Sequence, residues 1–259
     1  YTGSVGDGKI IGGLANNTFM FNGELDYFEI YNKAFNTSEV YLSNQNKLNR
    51  SLNSNNILLD YNSLSSTGID KSYRNTLINT DITYTKINQN YSAKFNGLTS
   101  RIDTGQDIIK DKNITVMNWS YIDSYGLSDS GSFLNNGQTT FEVNADNSNV
   151  ELTSDNSTFA TSNNDSIVLN KYYFTAFTRT NSGVANLYIG DFDTIPTLNG
   201  TSNQDSGTPV EGTTNLIIGN NNSQTSSFDG LIPLVQVREG ILSLEEIIQY
   251  WYKTKEYIK

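Results

Sequence analysis

Lys171-Tyr172-Tyr173-Phe174-Thr175-Ala176-Phe177-Thr178-Arg179 is followed, across Thr180-Asn181-Ser182-Gly183, by Val184-Ala185-Asn186-Leu187-Tyr188-Ile189. Two such runs, joined by a short loop containing Gly, read as a β-hairpin. The rest of the chain repeats the theme. Apolar residues recur mostly at period two, and clusters of Gly, Asn, Asp and Ser interrupt them at short intervals. Ile57–Tyr61 reads as a short strand, and Ile114–Ile122 sets Ile114 and Val116 against Met117, Trp119 and Tyr121. Further short strands fit Ser92–Phe95, Arg101–Thr104, Gly131–Leu134, Thr139–Val143, Val150–Thr153 and Leu216–Gly219. Many short strands joined by polar turns predict an all-β, two-sheet antiparallel sandwich of the jelly-roll kind.

Composition narrows the chemistry. The 259 residues contain no Cys and no His, so Ser-His-Asp and Cys-His nucleophiles, thiolates and zinc fingers are excluded. A disulfide framework is excluded too, and the sequence carries no redox-compartment signal. Lys and Arg total 17 against 27 Asp and Glu, for a formal charge of −10. No basic stripe exists to contact phosphates, so nucleic acid is not an expected partner. No apolar run approaches the length of a membrane span. Asn, Ser and Thr number 36, 28 and 27. That abundance supplies turns and surface, and produces N-x-[ST] sequons by chance; one of them, at Asn118, falls inside a predicted strand. The first residues, Tyr1-Thr2-Gly3-Ser4, carry neither an initiator Met nor a signal peptide, as a processed or cut start would.

Helical spacing appears at two places that correspond. Asn36-Thr37-Ser38-Glu39 and Ser243-Leu244-Glu245-Glu246 each offer a cap residue followed three positions on by Glu. After the second, Ile247, Ile248, Trp251 and Tyr252 lie at helical spacing. The correspondence widens into a repeat. Shifted by 207 positions, Ile10-Ile11-Gly12 falls on Ile217-Ile218-Gly219, Phe21-Asn22-Gly23 on Phe228-Asp229-Gly230, and Glu39-Val40 on Glu246-Ile247. Seven of 32 positions from Lys9 to Val40 are identical, and no gap is needed. Residues 1–48 therefore repeat the end of the chain. So few residues cannot bury a sandwich core. The segment either finishes a domain whose beginning is not in this sequence or is completed by another chain, and a tandem arrangement is expected. Residues 49–56, rich in Asn and Ser, read as a linker, and 57–259 as a complete domain.

At these residues a family resemblance emerges. Phe21-Asn22-Gly23-Glu24-Leu25-Asp26-Tyr27-Phe28-Glu29-Ile30-Tyr31-Asn32-Lys33-Ala34-Phe35, with Ser38-Glu39-Val40, resembles the closing strand and helix of laminin-G-like, concanavalin A-like lectin domains. The second region resembles a whole domain of that family. It carries Leu59-Asp60-Tyr61, Gly68-Ile69-Asp70, Arg74-Asn75-Thr76, Ala93-Lys94-Phe95-Asn96-Gly97 and Arg101-Ile102-Asp103, then Trp119, Tyr172–Arg179 and Leu187-Tyr188-Ile189-Gly190, in family order. The resemblance implies a two-sheet jelly roll, in agreement with the strand pattern.

Three kinds of site follow from the residues and the resemblance. Glu24-Leu25-Asp26-Tyr27-Phe28-Glu29 fits the E-x-D-x-x-E pattern of family 16 glycoside hydrolases, which share the fold and use two Glu as nucleophile and acid/base. The repeat argues against catalysis, because Leu231, Pro233 and Gln236 stand at the matching positions. The resemblance also implies a structural Ca²⁺ near Asp60, Asp70 and Asn75, where many relatives keep oxygen ligands. For glycan binding, Tyr121, Tyr125, Phe141, Tyr172 and Trp251 are the available aromatics. Trp119 and Tyr172 match family core positions, and Trp251 lies on the packed face of a helix. Tyr125, in a loop next to Asp123, is the expected surface contact.

Together these expectations describe a non-catalytic recognition or structural module of a longer protein outside cells. A virion appendage such as a phage fibre or capsid decoration would suit it, and so would a bacterial adhesin. Its partners would be glycans or other surface proteins.

Overall fold

The computed structural model describes residues 56–258, apart from 73, 110–112, 155–156, 202–207 and 211. The chain divides into two units, Tyr1–Ser54 and Asn55–Lys259. The 1–48 segment, with Glu24, Asp26, Glu29 and the helix start at Asn36–Glu39, lies outside the described residues, as do residues 49–55.

Sixteen strands are described. In chain order they are β1 (Ile57–Asn62), β2 (Ile69–Asp70), β3 (Ile78–Thr80), β4 (Thr83–Ile87), β5 (Asn90–Asn96), β6 (Arg101–Asp103), β7 (Ile114–Ser124) and β8 (Ser130–Asn135). They continue with β9 (Thr139–Asn144), β10 (Asn149–Ser154), β11 (Ser157–Thr161), β12 (Lys171–Arg179), β13 (Ala185–Gly190), β14 (Thr197–Thr201), β15 (Ile217–Ile218) and β16 (Asp229–Glu239). One α-helix, α1 (Leu244–Ile258), follows.

The strands form two antiparallel sheets. The first runs β14-β13-β12-β7-β16-β1-β2, and the second β11-β10-β9-β8-β15-β6-β3. β16 organises the first sheet. One edge pairs with β7, while the other pairs with β5 over Asp229–Ile232 and with β1 over Leu234–Arg238. β12 and β13 form the hairpin expected from their sequence, and its loop is closed by Thr180 N–H to Val184 O at 2.8 Å.

Alternation explains why the sheets stack. Val116 and Ile122 of β7 and Phe177 of β12 point into the inter-sheet core, where Phe133, Phe141 and Val143 of the second sheet meet them. The intervening side chains of the first sheet face the other way. Met117, Trp119, Phe174, Ala176, Tyr188 and Leu234 would be a wet apolar surface, but α1 covers them. Both faces of β7 and β12 are thus buried, so their sequences read as nearly continuous apolar runs. Polar links also cross the interior. Arg179 at the end of β12 is fully buried and donates from Nη1 to Thr139 Oγ1 on β9, 2.8 Å away.

The helix begins as its sequence predicts. Ser243 N–H donates to Glu246 Oε2 at 2.8 Å and Glu246 N–H to Ser243 Oγ at 3.3 Å, the reciprocal capping box. Ile247, Trp251, Thr254 and Ile258 form its buried stripe. Each large apolar side chain of that stripe contributes about 1.5–3 kcal/mol by leaving water. Tyr252, one position from Trp251, is exposed.

Candidate functional site

The helix leaves part of the first sheet's outer face open. Across five strands, Thr83 pairs with Lys94, Lys94 with Leu231, Leu231 with Tyr121, and Tyr121 with Tyr172. Directly opposed residues share a face, so these side chains form one row. Tyr121 lies two residues beyond Trp119 on the same face, past the area that α1 covers. The Tyr121 and Tyr172 rings meet edge to face, with centroids 5.0 Å apart, and Phe192 backs Tyr172 at 5.2 Å. Both tyrosines are half-buried.

Charge flanks the row. Lys94 Nζ binds Asp123 Oδ2 and lies 3.5 Å from Asp229 Oδ1, while Ser124 Oγ donates to Asp229 Oδ2 at 2.8 Å. The three charged side chains keep 28–32% of their surface exposed, so the network is accessible from solvent. The Tyr172 hydroxyl has no protein hydrogen-bond partner. The atom is buried; burial, then the neighbouring Tyr121 and Asp123, holds it well above the usual phenol range, so it keeps its proton. Aromatic faces beside carboxylates and an ammonium can stack on the C–H face of a sugar and hydrogen-bond its hydroxyls.

Asp123 thus lies beside the row, paired with Lys94, but Tyr125 is separated from it. Two residues on, Tyr125 is half-buried and packs against the inter-sheet core, so much of its ring is unavailable. Phe141 is wholly inside the sandwich and Trp251 is turned from α1 onto the first sheet, so neither offers a face to a ligand. Tyr172 is not the full core residue the resemblance implied, because it sits at the margin of the helix-covered cluster. Lys94, Asp229 and Leu231 carry no signal of their own in the sequence. Nothing in their spacing shows that β5 and β16 run side by side.

Asp60, Asp70 and Asn75 do come together, but as a hydrogen-bonded staple. Asp70 Oδ1 accepts from the N–H groups of Asp60 and Ser72, both at 2.9 Å. Its Oδ2 accepts from Ser72 Oγ at 2.7 Å, Arg74 N–H at 3.2 Å, Asn75 N–H at 3.0 Å and Asn75 Nδ2 at 2.7 Å. A carboxylate offers about four lone-pair sites, so Asp70 is saturated. Asn75 turns its amide nitrogen inward, donating also to Leu58 O at 2.9 Å, and Asp60 Oδ1 accepts from Gln236 Nε2 at 3.1 Å. Calcium needs six to eight oxygens, and this set, already filled by N–H and O–H donors, does not fit it. Among the described residues no three His, Cys, Asp or Glu side chains converge on a metal position.

Burial works to raise the Asp70 pKa, but the hydrogen bonds from Asp60, Ser72 and Asn75 outweigh it and hold the carboxyl low. Asp70 therefore adds stability that is complete above the ordinary value of 3.8 and is lost as pH falls below it. Asp70→Ala is expected to cost about 2–3 kcal/mol at neutral pH, since several donors lose a charged acceptor. Urea unfolding at pH 7 and again near pH 3 checks this, and the gap between variant and wild type should narrow at the lower pH.

A cleft of about 200 Å³ opens beside this staple, lined by Asn75, Gln106, Asp107, Asn113 and Glu239 over Leu58 and Ile114. It has no aromatic wall.

The comparisons with known proteins agree with this architecture. Residues 96–248, more than half of the chain, match the family described as the concanavalin A-like lectin/glucanases superfamily. Among solved structures, domain 4 of an extracellular GH43 arabinanase from Geobacillus stearothermophilus, in complex with arabinotriose, is similar at a TM-score of 0.56 and 14% identity, covering 79% of this chain and 98% of that one. The botulinum neurotoxin serotype D binding domain gives 0.58 and 17%, covering 78% of this chain and 52% of that one. The receptor-binding domain of type G gives 0.57 and 16%, covering 77% and 51%. The chain thus spans nearly all of the arabinanase domain and about half of each toxin domain. At these identities the likeness is one of fold. No curated protein sequence matches.

Proposed function

Because the chain belongs to the concanavalin A-like lectin/glucanases superfamily, we propose that residues 57–259 are a non-catalytic glycan-recognition module. The observation that carries this is the Tyr121–Tyr172 row, left open on the first sheet beside Lys94, Asp123 and Asp229. Both carboxylates are committed to Lys94, an arrangement suited to holding hydroxyls. Among the described residues, nothing else at the row supplies a nucleophile or a proton donor paired with one. The arabinanase domain solved in complex with arabinotriose and the type G toxin's receptor-binding domain, which are similar in fold, support the reading.

The setting we infer is outside cells, on a virion appendage or a bacterial surface. The Cys-free, Asn-, Ser- and Thr-rich composition supports it, and the repeat at 1–48 suggests a tandem protein. No described helix is long and apolar enough to cross a membrane.

A glycan array probed with the whole chain should give saturable binding. Tyr121→Ala and Tyr172→Ala should each weaken it about tenfold or more, the loss of one aromatic contact and its covered area. Absence of binding to any glycan would remove the reading. Binding that survives both changes but is lost in Tyr125→Ala would move the site to the loop after β7.

A further inference from the structure

The outer face of the second sheet carries a pair of carboxylates that the glycan site does not use. Glu142 on β9 and Glu151 on β10 are directly opposed in the register of their hairpin. Side chains so placed share a face, with Cβ atoms about 4.5–5.5 Å apart, and like charges there repel. Burial raises the pKa of Glu142 against the opposing effect of its bond from Ser130. Burial also raises that of Glu151, helped by Glu142 and by Asp146 in the hairpin turn. No cation acts on either group among the described residues.

Neutral oxygens flank the pair, and two of them are buried without partners. Ser132, opposite Glu142 on β8, is fully buried, and its Oγ has no hydrogen bond. Asn149, two residues before Glu151 and therefore on the same face, is fully buried with both Oδ1 and Nδ2 unpaired. Ser130 Oγ donates to Glu142 Oε2 at 2.6 Å, so one oxygen of that carboxylate is already oriented. Buried polar atoms are nearly always satisfied, and exceptions point to an ion or water.

We propose that a hard divalent cation of the calcium class binds on this face between Glu142 and Glu151, with water and the flanking oxygens of Ser132 and Asn149 completing its shell. Two carboxylates one strand apart can close on a common ion at calcium–oxygen distances, and the ion removes their repulsion. With only two charged ligands, the affinity belongs in the range of extracellular modules, on the order of 10⁻⁴–10⁻³ M. The site is independent of the sugar row, which lies on the first sheet.

Thermal unfolding of the whole chain, in EDTA and in about 10 mM CaCl₂ at matched ionic strength, tests it together with a calorimetric titration of CaCl₂. The wild type should melt about 3–10 °C higher in calcium. Glu142→Gln and Glu151→Gln should each lose that shift and bind calcium at least tenfold more weakly. In EDTA, Glu151→Gln should melt no lower than wild type, because it removes a repulsion and keeps the shape. Asp60→Asn should keep the calcium shift. Equal melting in EDTA and calcium with no heat of binding overturns the proposal. So does a shift that persists in both Gln variants, or one that Asp60→Asn alone abolishes.

Discussion

Trp119→Ala is expected to destabilise the domain by about 3–5 kcal/mol, the cost of removing a large buried aromatic and leaving its cavity. Trp119 is wholly buried at the centre of β7, between Phe174 on β12 and Leu234 on β16. Its ring meets Phe174 edge to face at 5.5 Å and stacks on Phe192 at 5.2 Å. It also holds the helix, because Nε1–H donates to Thr254 Oγ1 at 2.8 Å, and that hydroxyl in turn donates to Tyr250 O at 2.7 Å. The alanine variant therefore loses apolar burial and a buried polar link together. Equilibrium urea unfolding gives the magnitude. Hydrogen exchange should locate the added exposure in α1, whose amides should exchange faster than those of the second sheet. Trp119→Phe keeps most of the ring contact and should cost less than half as much. Equal losses in the two variants would mean that the polar link, not the packing, dominates.

Gly219→Ala is expected to cost about 2–5 kcal/mol, for two reasons that add. Gly219 has φ +77°, a conformation that costs a residue with a Cβ about 1–2 kcal/mol. A Cβ there would also lie 2.0 Å from Cε1 of Phe95. Neither side can give way easily. The Phe95 ring is fully buried against Phe228, and the glycine backbone is pinned by Gly219 N–H to Phe133 O at 3.0 Å and Phe228 N–H to Gly219 O at 2.9 Å. Overpacking of this kind costs about 1–3 kcal/mol. A melting temperature lowered by roughly 4 °C or more checks the sum. A variant within 1 °C of wild type would show that Phe95 can swing aside.

That glycine also marks how far the order of residues reaches by itself. Ile217-Ile218-Gly219 repeats Ile10-Ile11-Gly12, and the reason for a glycine at the end of the later strand is physical: it admits the Phe95 ring. The strands that bury side chains on one or both faces, β7, β8, β9, β10, β12 and β13, all stand out as periodic or aromatic runs. The strands not read from periodicity are β2, β3, β4, β11 and β14, which are short or lie at sheet edges, and the long central β16, which is buried on both faces. Thr83–Ile87 and Thr197–Thr201 bury too little to leave an apolar signature. The capping box at Ser243–Glu246 is legible because its chemistry is local. The sites are less so, since both depend on pairing at a distance. Tyr121 and Tyr172 stand among the candidate aromatics, but only the extent of α1 decides that their part of the face is open. Asp70 and Asn75 do meet, yet whether a carboxylate faces a cation or a set of amides turns on backbone directions that residue spacing does not encode. Glu142 and Glu151 become neighbours only through the register of the β9–β10 hairpin.

The position of β16 in the chain has a consequence for how the protein is made. It is the last strand, and it fills the middle of the first sheet, between β7 on one side and β1 and β5 on the other. A chain emerging residue by residue carries all three of those neighbours long before it carries the strand that joins them. Closure is therefore late and non-local, the slow kind of step for a β domain. Until it happens, the unpaired edges of β1, β5 and β7 can pair with another chain. The vulnerable interval in the life of this sandwich is its own synthesis, and it ends when Asp229–Glu239 slides into place.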